Sequence, residues 1–236
     1  MGLGGNIEMW QPLTDELGDF QTIAFDAPGM GESDTPRWPL SIRSLARVAL
    51  GVIDRLGLSK VDVIGVSYGG AIAQELAFRY PDRVRRLVLA ATSYGVGSVP
   101  GRARALGMLL TPYRYYSRSH LEAIAPRLYG GRIAREPELL RRHAYARLGH
   151  APSWRGYLWQ LASIAGWSSL PFLHRIRAPV LLLAGDDDPI IRVTNARVMT
   201  ALLRDSRLHV IHGGGHLFLI DEAPESARLI REFLAP

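Results

Sequence analysis

Ser67 lies at the centre of a pentapeptide with a glycine at each end, Gly65-Val66-Ser67-Tyr68-Gly69. The residues from Val61 up to this turn are mostly β-branched and predict a buried strand, whereas those after it have helical composition and end at Pro81. A strand, a G-x-S-x-G turn and a helix form the context of a nucleophile elbow, in which a strained turn exposes the serine hydroxyl. We therefore predict that Ser67 is a nucleophile.

A serine hydroxyl needs a base, usually histidine, to accept its proton as it attacks. Five of the seven histidines fall inside a predicted insertion or a predicted strand: His120, His143, His150, His174 and His209. The other two, His212 and His216, flank a triple glycine after the last predicted strand. We favour His216 over His212 as the base, because the glycines leave its loop free to turn over the strand end before the final helix.

The carboxylate that orients such a histidine is expected after an earlier strand. The turn after the third predicted strand contains no acid, but the apolar strand that ends at Ala184 is followed by three aspartates. We choose Asp188, which lies farthest beyond the strand, and interpret Asp186 and Asp187 as residues of a solvated turn. The resulting chain order of serine, aspartate and histidine is the order expected of a hydrolase with this elbow.

Acyl transfer also requires two backbone N–H groups that stabilise the developing oxyanion. One should come from Tyr68, directly after the nucleophile. The other normally comes from a glycine-rich loop, and the stretch Gly2-Leu3-Gly4-Gly5 fits that description, with Leu3 as the donor. The alternative is that these first residues form an unordered terminus.

An alternation of strands and helices must bring these residues together. Strands are predicted at residues 22–26, 61–66, 83–92, 179–184 and 207–211, and helices at 41–57, 68–80, 195–203 and 224–234. This spacing implies an α/β fold, with a parallel sheet and right-handed crossovers. Ser33, in a glycine-rich loop after the first strand, is interpreted as a loop residue because no helix follows it at once.

The composition changes between the third and fourth predicted strands, where aromatic residues alternate with prolines. Several short helices are predicted here, one opened by a capping box at Ser119 and another by Pro137 in its first turn. We interpret them as a lid whose aromatic residues form its own core more often than they contact substrate. The chain is accordingly divided into an N-terminal core (1–92), a helical lid (93–177) and a C-terminal core (178–236).

The composition excludes several classes of protein. The 236 residues, 47% hydrophobic and 21% charged, suffice for one substantial core. No apolar run approaches the roughly 20 residues of a membrane span, and the start lacks the features of a signal peptide. The absence of cysteine excludes disulfides and thiolate chemistry and fits a cytoplasmic location. The net charge of +6 is dispersed, without a nucleic-acid-binding motif, and no metal, nucleotide or flavin signature is found, so we expect no cofactor.

Together these residues resemble the α/β-hydrolase superfamily, to whose usual motifs the loop at residues 26–33 and the elbow at 65–70 are similar. Within it the chain most resembles the intracellular depolymerases of medium-chain-length poly(3-hydroxyalkanoates), and the likeness runs through the lid. It is carried by residues 2–6, 87–92, 99–101, 129–131, 137–139, 143, 157–161, 166–169, 184–189 and 215–220.

The resemblance implies a catalytic triad of Ser67, Asp188 and His216 that acts on an aliphatic polyester or its oligomers, with a polyester granule surface as a partner. The apolar lid would suit long acyl side chains. Tyr68 departs from the pattern, because a tryptophan is expected at its position. Two alternatives stay open: a generalist carboxylesterase or carbon–carbon bond hydrolase, and an inactive or ligand-binding paralogue. The serine at the elbow argues against epoxide hydrolases and haloalkane dehalogenases, which use an aspartate there.

The superfamily also has strands before the glycine-rich loop, one of which lies between the strands predicted at residues 22–26 and 61–66. This sequence begins at the loop itself. An unfilled central position in a sheet leaves unpaired backbone groups on both neighbours. We therefore expect that the 236-residue form lacks those strands, is poorly stable or weakly active, and is restored in both respects by an upstream extension.

Overall fold

A parallel β-sheet forms the centre of the computed structural model, which describes residues 1–136, 138–141 and 149–235. In this part of the chain the strands are β1 (Val61–Val66), β2 (Val84–Ala90), β3 (Val180–Gly185) and β4 (Ser206–Ile211). They are paired in that order, and every pairing is parallel. Their carboxyl ends therefore lie at one edge of the sheet, where functional residues of such folds gather.

Helices connect and flank the strands. The helices whose bounds both lie in the described residues are, in chain order, α1 (Gln11–Glu16), α2 (Ile42–Arg55), α3 (Tyr68–Arg79), α4 (Ala103–Met108), α5 (Arg118–Tyr129), α6 (Gly131–Arg135), α7 (Trp154–Ile164), α8 (Val193–Leu202), α9 (Phe218–Asp221) and α10 (Ala223–Leu234). Short 3-10 helices lie at Ile7–Trp10, Pro81–Arg83, Tyr113–Tyr115 and Leu173–Arg175. None of the helices in the described ranges is long and apolar enough to cross a bilayer.

Both faces of the sheet are buried under helices. Successive residues of a strand point to opposite faces, so neighbouring residues of a central strand pack in different clusters. On β2, Leu87 and Leu89 pack with apolar residues of α2, α3 and α8. The intervening Val88 and Ala90 pack on the other side with α1, α9 and α10. The predicted α/β architecture, with helices on both faces of a parallel sheet, is confirmed.

Helices α4 to α7 are inserted between β2 and β3, within the segment predicted to be a lid. The helix predicted to open at Ser119 begins instead after Ser117, whose hydroxyl accepts a hydrogen bond from the His120 amide at 3.2 Å. The capping prediction was therefore wrong by two residues, since Ser119 lies inside the first turn. The helix start predicted at Pro137 lies outside the described residues. The division of the chain at residues 93 and 177 stays a prediction.

The strand predicted at residues 22–26 was wrong. The segment has no strand pairing within the described residues, and Ile23 and Phe25 are 45% and 37% exposed. A groove of about 390 Å³, lined by residues of both, lies between it and β1. Because a strand exists only through hydrogen bonds to a neighbour, apolar composition could not make this segment one. Ser33 is a loop residue as predicted, and its hydroxyl donates to the Asp26 carbonyl at 2.7 Å.

Candidate active site

Ser67 occupies the tight turn between β1 and α3. Its φ of 52° is strained for a residue with a side chain. Two hydrogen bonds hold this conformation: the Ser67 amide donates to the Ala90 carbonyl at 2.9 Å, and the Thr92 hydroxyl donates to the Ser67 carbonyl at 2.7 Å. A Cβ on Gly65 would lie 2.6 Å from the Cβ of Ala73, so the strand and the helix can meet this closely only at a glycine. The predicted strand-turn-helix context of Ser67 is confirmed.

His216, in the loop after β4, places its Nε2 atom 3.0 Å from the Oγ atom of Ser67. The His216 amide donates to the Tyr129 carbonyl at 2.7 Å, which ties this loop to the end of α5. A Cβ on Gly131 would lie only 2.2 Å from the Gly215 nitrogen, so the two backbones are in direct contact. The insertion therefore fixes the loop that carries the imidazole.

Asp188, in the loop after β3, completes a chain of hydrogen bonds with His216. Its Oδ2 atom lies 2.7 Å from Nδ1 of His216, and its Oδ1 atom accepts from the amides of Ile190 and Ile191 at 2.7 and 3.0 Å. Since a carboxylate only accepts, Nδ1 carries the hydrogen and the Nε2 lone pair is left for the Ser67 hydroxyl. The side chain of Asp188 is 1% exposed and that of His216 is 9% exposed. The arrangement can therefore move a proton from Ser67 to His216.

His212, which was not chosen as the base, forms a separate pair on the surface with Asp186, one of the two aspartates that were not chosen. Nδ1 of His212 lies 3.0 Å from Oδ2 of Asp186, and the side chain of His212 is 89% exposed. Burial acts to raise the pKa of Asp186, but hydrogen bonds from His212 and the Gly213 amide hold that pKa below its ordinary value. Asp187 accepts from the Gly131 amide at 3.0 Å. Of the three aspartates, only Asp188 is brought to Ser67 through a histidine.

Both residues expected to supply oxyanion donors lie next to Ser67. Tyr68 is the first residue of α3, so its amide has no acceptor within that helix. Residues 2–5 form a turn in which the last amide donates to the first carbonyl at 3.0 Å, and Gly4 has a φ of 74°. A Cβ on the first residue of this turn would lie 3.5 Å from that of Ser67. The glycine-rich stretch is therefore ordered beside the serine, and the donor roles of Leu3 and Tyr68 stay a prediction.

A cavity of about 60 Å³ lies beside Ser67 and His216. Its lining is mainly apolar and includes Met9, Trp10, Leu13, Leu109, Leu217 and Ile220. Among the described residues of the insertion, the aromatic ones that line it are Tyr115 and Tyr129. Within the described ranges, no group of three or more acidic, histidine or cysteine side chains is placed to hold a metal ion.

Arg114 also lines this cavity and was not anticipated from the sequence, where nothing distinguishes it from the other dispersed arginines. Its residue is 3% exposed, and its guanidinium donates to the Tyr157 hydroxyl at 2.7 Å and to the Leu3 carbonyl at 3.2 Å. Burial acts to lower the pKa of Arg114, but the neighbouring tyrosines raise it above its ordinary value. A fixed positive charge therefore lies beside the cavity.

Comparison with known proteins gives one family and several relatives. A family model described as alpha/beta hydrolase fold matches residues 1–223. The poly(3-hydroxyalkanoate) depolymerase of Ectopseudomonas oleovorans is 45% identical over 235 residues, which cover 99% of this chain and 82% of that protein. The 2-hydroxy-6-oxo-2,4-heptadienoate hydrolase of Pseudomonas putida is 30% identical, with 96% of this chain and 83% of that protein covered.

The fold agrees with that of solved structures. A thermophilic esterase from Thermogutta terrifontis superimposes with a TM-score of 0.82 and 26% identity, and the match covers 99% of this chain and 86% of that one. Because the sequence match to the depolymerase covers 99% of this chain, it extends through the helices inserted between β2 and β3.

Proposed function

The chain belongs to the α/β-hydrolase family, and on that premise we propose that the protein is a serine esterase that cleaves carboxylic esters through an acyl-enzyme. One observation carries the proposal. A continuous chain of hydrogen bonds runs from the Ser67 hydroxyl through the His216 imidazole to the Asp188 carboxylate, with lengths of 3.0 and 2.7 Å. All three residues follow the carboxyl ends of strands, where the sheet holds them in place.

The reaction follows from the position of the protons. Ser67 attacks the ester carbonyl while His216 takes its proton, and Asp188 stabilises the imidazolium that forms. The amides of Leu3 and Tyr68 bind the tetrahedral oxyanion. When the intermediate collapses, the bond between the former carbonyl carbon and the alkoxy oxygen breaks, and the alkoxy oxygen takes the proton from His216 and leaves as the alcohol. Water then attacks the acyl-enzyme by the same route and releases the acid and the free serine.

We propose poly(3-hydroxyalkanoate) or its oligomers as the substrate, in the cytoplasm and at the surface of polyester granules. The support is the 45% identity to a depolymerase of this polyester and the apolar lining of the cavity. The cavity of about 60 Å³ is smaller than the ~300 Å³ at which ligand sites usually begin. We propose that the segment of residues 93–177, which contributes Leu109, Tyr115 and Tyr129 to the lining, opens as a lid to admit an acyl chain.

A carbon–carbon bond hydrolase is the second candidate. The observation in its favour is the 30% identity, along 96% of this chain, to a hydrolase of a hydroxy-oxo-heptadienoate. The same serine, histidine and aspartate would serve this reaction, and they would also serve a generalist carboxylesterase. Substrate preference, rather than reaction with the serine, separates these candidates.

The nucleophile is tested with a fluorophosphonate probe on the wild type, Ser67→Ala and Ser33→Ala. We expect labelling of the wild type and of Ser33→Ala but none of Ser67→Ala, because the Ser33 hydroxyl donates to the Asp26 carbonyl, whereas that of Ser67 faces the His216 imidazole. An unlabelled wild type would indicate an inactive or ligand-binding paralogue, and labelling of Ser67→Ala would contradict the assignment of the nucleophile.

The substrate is tested by ranking kcat/KM over soluble esters of increasing acyl length, emulsified medium-chain polyester and a hydroxy-oxo-dienoate. Release of hydroxy acids from the emulsion supports the polyester proposal. Hydrolysis of short esters without attack on the emulsion would favour the generalist esterase, and activity on the dienoate alone would favour the second candidate.

A further inference from the structure

The peptide bond between Leu3 and Gly4 is held at both ends by side chains of the insertion. The Leu3 carbonyl accepts hydrogen bonds from the Tyr115 hydroxyl at 2.7 Å and from Arg114 at 3.2 Å. On the other side, the Gly4 amide donates to Oε1 of Gln160 at 2.8 Å, and that bond is buried. Three hydrogen bonds therefore fix the plane of the central peptide in the turn of residues 2–5.

Close packing reinforces these bonds. A Cβ on Gly4 would lie 2.5 Å from the ring of Tyr115 and 2.9 Å from the ring of Tyr157, so both rings are in contact with the backbone of the turn. The φ of 74° at Gly4 is the value that the third residue of a type II turn requires. The Leu3 amide itself donates to no acceptor in the described part of the chain. The N–H group assigned to the oxyanion is thus free, while the next peptide is held.

Tyr68 is held by α7, the inserted helix that also carries Gln160. Its hydroxyl lies 2.6 Å from that of Ser163, which in turn donates to the Gln160 carbonyl at 2.7 Å. Since a serine hydroxyl has one hydrogen, Tyr68 must be the donor to Ser163. Burial raises the pKa of Tyr68 to about 12, although the bond to Ser163 opposes the rise, so the phenol keeps its proton at neutral pH.

The residues of α7 that make these contacts share one face of the helix. Gly156, Gln160 and Ser163 are spaced three and four apart, as a single face requires. The helix is capped by Ser153, and a Cβ on Gly156 would lie 2.4 Å from the Gly29 carbonyl oxygen, so the helix packs directly on a core loop. Gln160 is 4% exposed, and a buried amide left without its partner would destabilise the fold. The position of α7 and the conformation of the turn therefore determine each other.

From these contacts we propose that the insertion positions both oxyanion donors, the Leu3 amide through Tyr115 and Gln160 and the Tyr68 amide through Ser163. This inference rests on the proposed esterase function. Tyr115, Gln160 and Ser163 act as positioning residues, because they touch the backbone or side chains of the donor residues and not the reacting atoms. Their loss should lower the rate of acyl transfer and leave ground-state binding of the ester nearly unchanged.

The test compares Tyr115→Phe and Gln160→Met with the wild type on a soluble ester. Complete removal of an oxyanion donor lowers kcat by about 10²-fold or more, so a loosened donor should lower it by roughly tenfold. We expect this loss in kcat for each variant, a KM within about twofold of the wild type, and a parallel weakening of inhibition by an alkylboronic acid, whose tetrahedral adduct mimics the intermediate. The double variant should approach the effect of a deleted donor.

Tyr116→Phe is the matched control, because the Tyr116 hydroxyl, like that of Tyr115, donates to a backbone carbonyl. Its acceptor is Pro152, within the insertion, and Tyr116 is 45% exposed and does not line the cavity. It should keep the wild-type kcat. Gln160→Glu retains an acceptor oxygen and should recover most of the kcat lost in Gln160→Met. Tyr68→Phe removes only a hydroxyl and keeps the backbone donor, so it tests the contact with Ser163 if a variant at residue 160 fails to fold.

Failure of this inference differs from failure of the proposed function. A wild type that the fluorophosphonate probe labels and that hydrolyses esters, combined with a kcat within twofold of it for Tyr115→Phe, Tyr68→Phe and folded Gln160→Met, would refute the positioning role alone. A wild type that is neither labelled nor active refutes the esterase itself. A loss of kcat in Tyr116→Phe equal to that in Tyr115→Phe would reduce the effect to general disturbance of the insertion.

Discussion

Replacement of Asp188 with asparagine should reverse the tautomer of His216. Oδ1 of Asp188 accepts from two backbone amides, those of Ile190 and Ile191, and Oδ2 faces Nδ1 of His216. The amide oxygen of an asparagine must take the place of Oδ1, because an NH₂ group there would meet two donors. The NH₂ group then faces Nδ1 and requires a lone pair on it, so the hydrogen of the imidazole moves to Nε2. In that state His216 cannot accept the proton of Ser67.

The size of the effect follows from the same geometry. The Asp188 side chain is 1% exposed, so water cannot easily restore the correct tautomer. A triad with the wrong tautomer loses about 10⁴ in kcat in a serine protease, equivalent to ~5.5 kcal/mol of transition-state stabilisation. We expect a loss of about 10³- to 10⁴-fold in kcat here, with little change in KM, because the asparagine keeps the volume and both backbone hydrogen bonds of the aspartate.

The assay is steady-state hydrolysis of a soluble short-chain ester, with circular dichroism to verify folding. Asp186→Asn is the matched control, since Asp186 holds His212 through the same pair of atoms at 3.0 Å, two residues earlier on the chain. It should retain the wild-type kcat. A folded Asp188→Asn variant with more than a tenth of the wild-type kcat would refute the reasoning, and so would an equal loss in both variants.

Two further predictions concern stability. Burial and the charge of Glu222 raise the pKa of Asp221 to about 6, against the opposing charge of Arg132. The folded state thus binds this proton more tightly than the unfolded chain, with its carboxyl pKa of about 3.9, so stability falls as the pH rises from about 4 to about 6, by roughly 3 kcal/mol. Asp221→Asn should raise Tm at pH 8 by several degrees and leave it unchanged near pH 3.5, as measured by thermal unfolding; an equal rise at both pH values would contradict this origin. Gly65→Ala should lower the free energy of unfolding by more than about 2 kcal/mol and abolish fluorophosphonate labelling, because its Cβ would lie 2.6 Å from that of Ala73. By contrast, Gly51→Ala should raise the free energy of unfolding by about 0.5–1 kcal/mol, because Gly51 lies in α2 with nothing within 4 Å of the added Cβ.

The sequence was sufficient to predict the elbow and the residues that meet it. The strand before Ser67 and the helix after it are each signalled by residues next to one another in the chain, so a local pattern determines them. His216 and Asp188 are distant in sequence, but parallel strands place their carboxyl ends at one edge, and this converts chain order into proximity. Asp188 was preferred to Asp186 because it lies farther from the strand end. Asp188 is hydrogen-bonded to His216 and Asp186 to His212, and the catalytic role of Asp188 stays a prediction.

Other features depend on neighbours that a local pattern does not contain. Residues 22–26 have the composition of a strand, but whether they form one depends on a partner within hydrogen-bonding distance. Ser117 and Ser119 both satisfy the preference for serine at a helix start, and only the extended backbone of Ser117, with a φ of −132°, decides between them. Arg114 and Gln160 reach the turn at residues 2–5 from 111 and 156 positions away, and no periodicity records such a contact.

On the proposed function, proton transfer and charge stabilisation in this site depend on the insertion to different degrees. Ser67 and Asp188 lie in loops that follow β1 and β3, whereas the loop of His216 follows β4 and is also tied to the insertion, because the His216 amide donates to the Tyr129 carbonyl. The Leu3 carbonyl and the Gly4 amide, in contrast, are bonded to Tyr115 and Gln160, which belong to the inserted helices.

On the proposed function and the proposed lid, those helices move away to admit an acyl chain to the cavity of about 60 Å³. That movement breaks the bonds that position the oxyanion donor, and closure over the bound ester restores them. The serine is consequently in place before substrate binds, whereas the oxyanion donors and the loop of His216 take their observed positions on closure. A substrate too bulky for the lid to close over it would therefore bind without reacting efficiently.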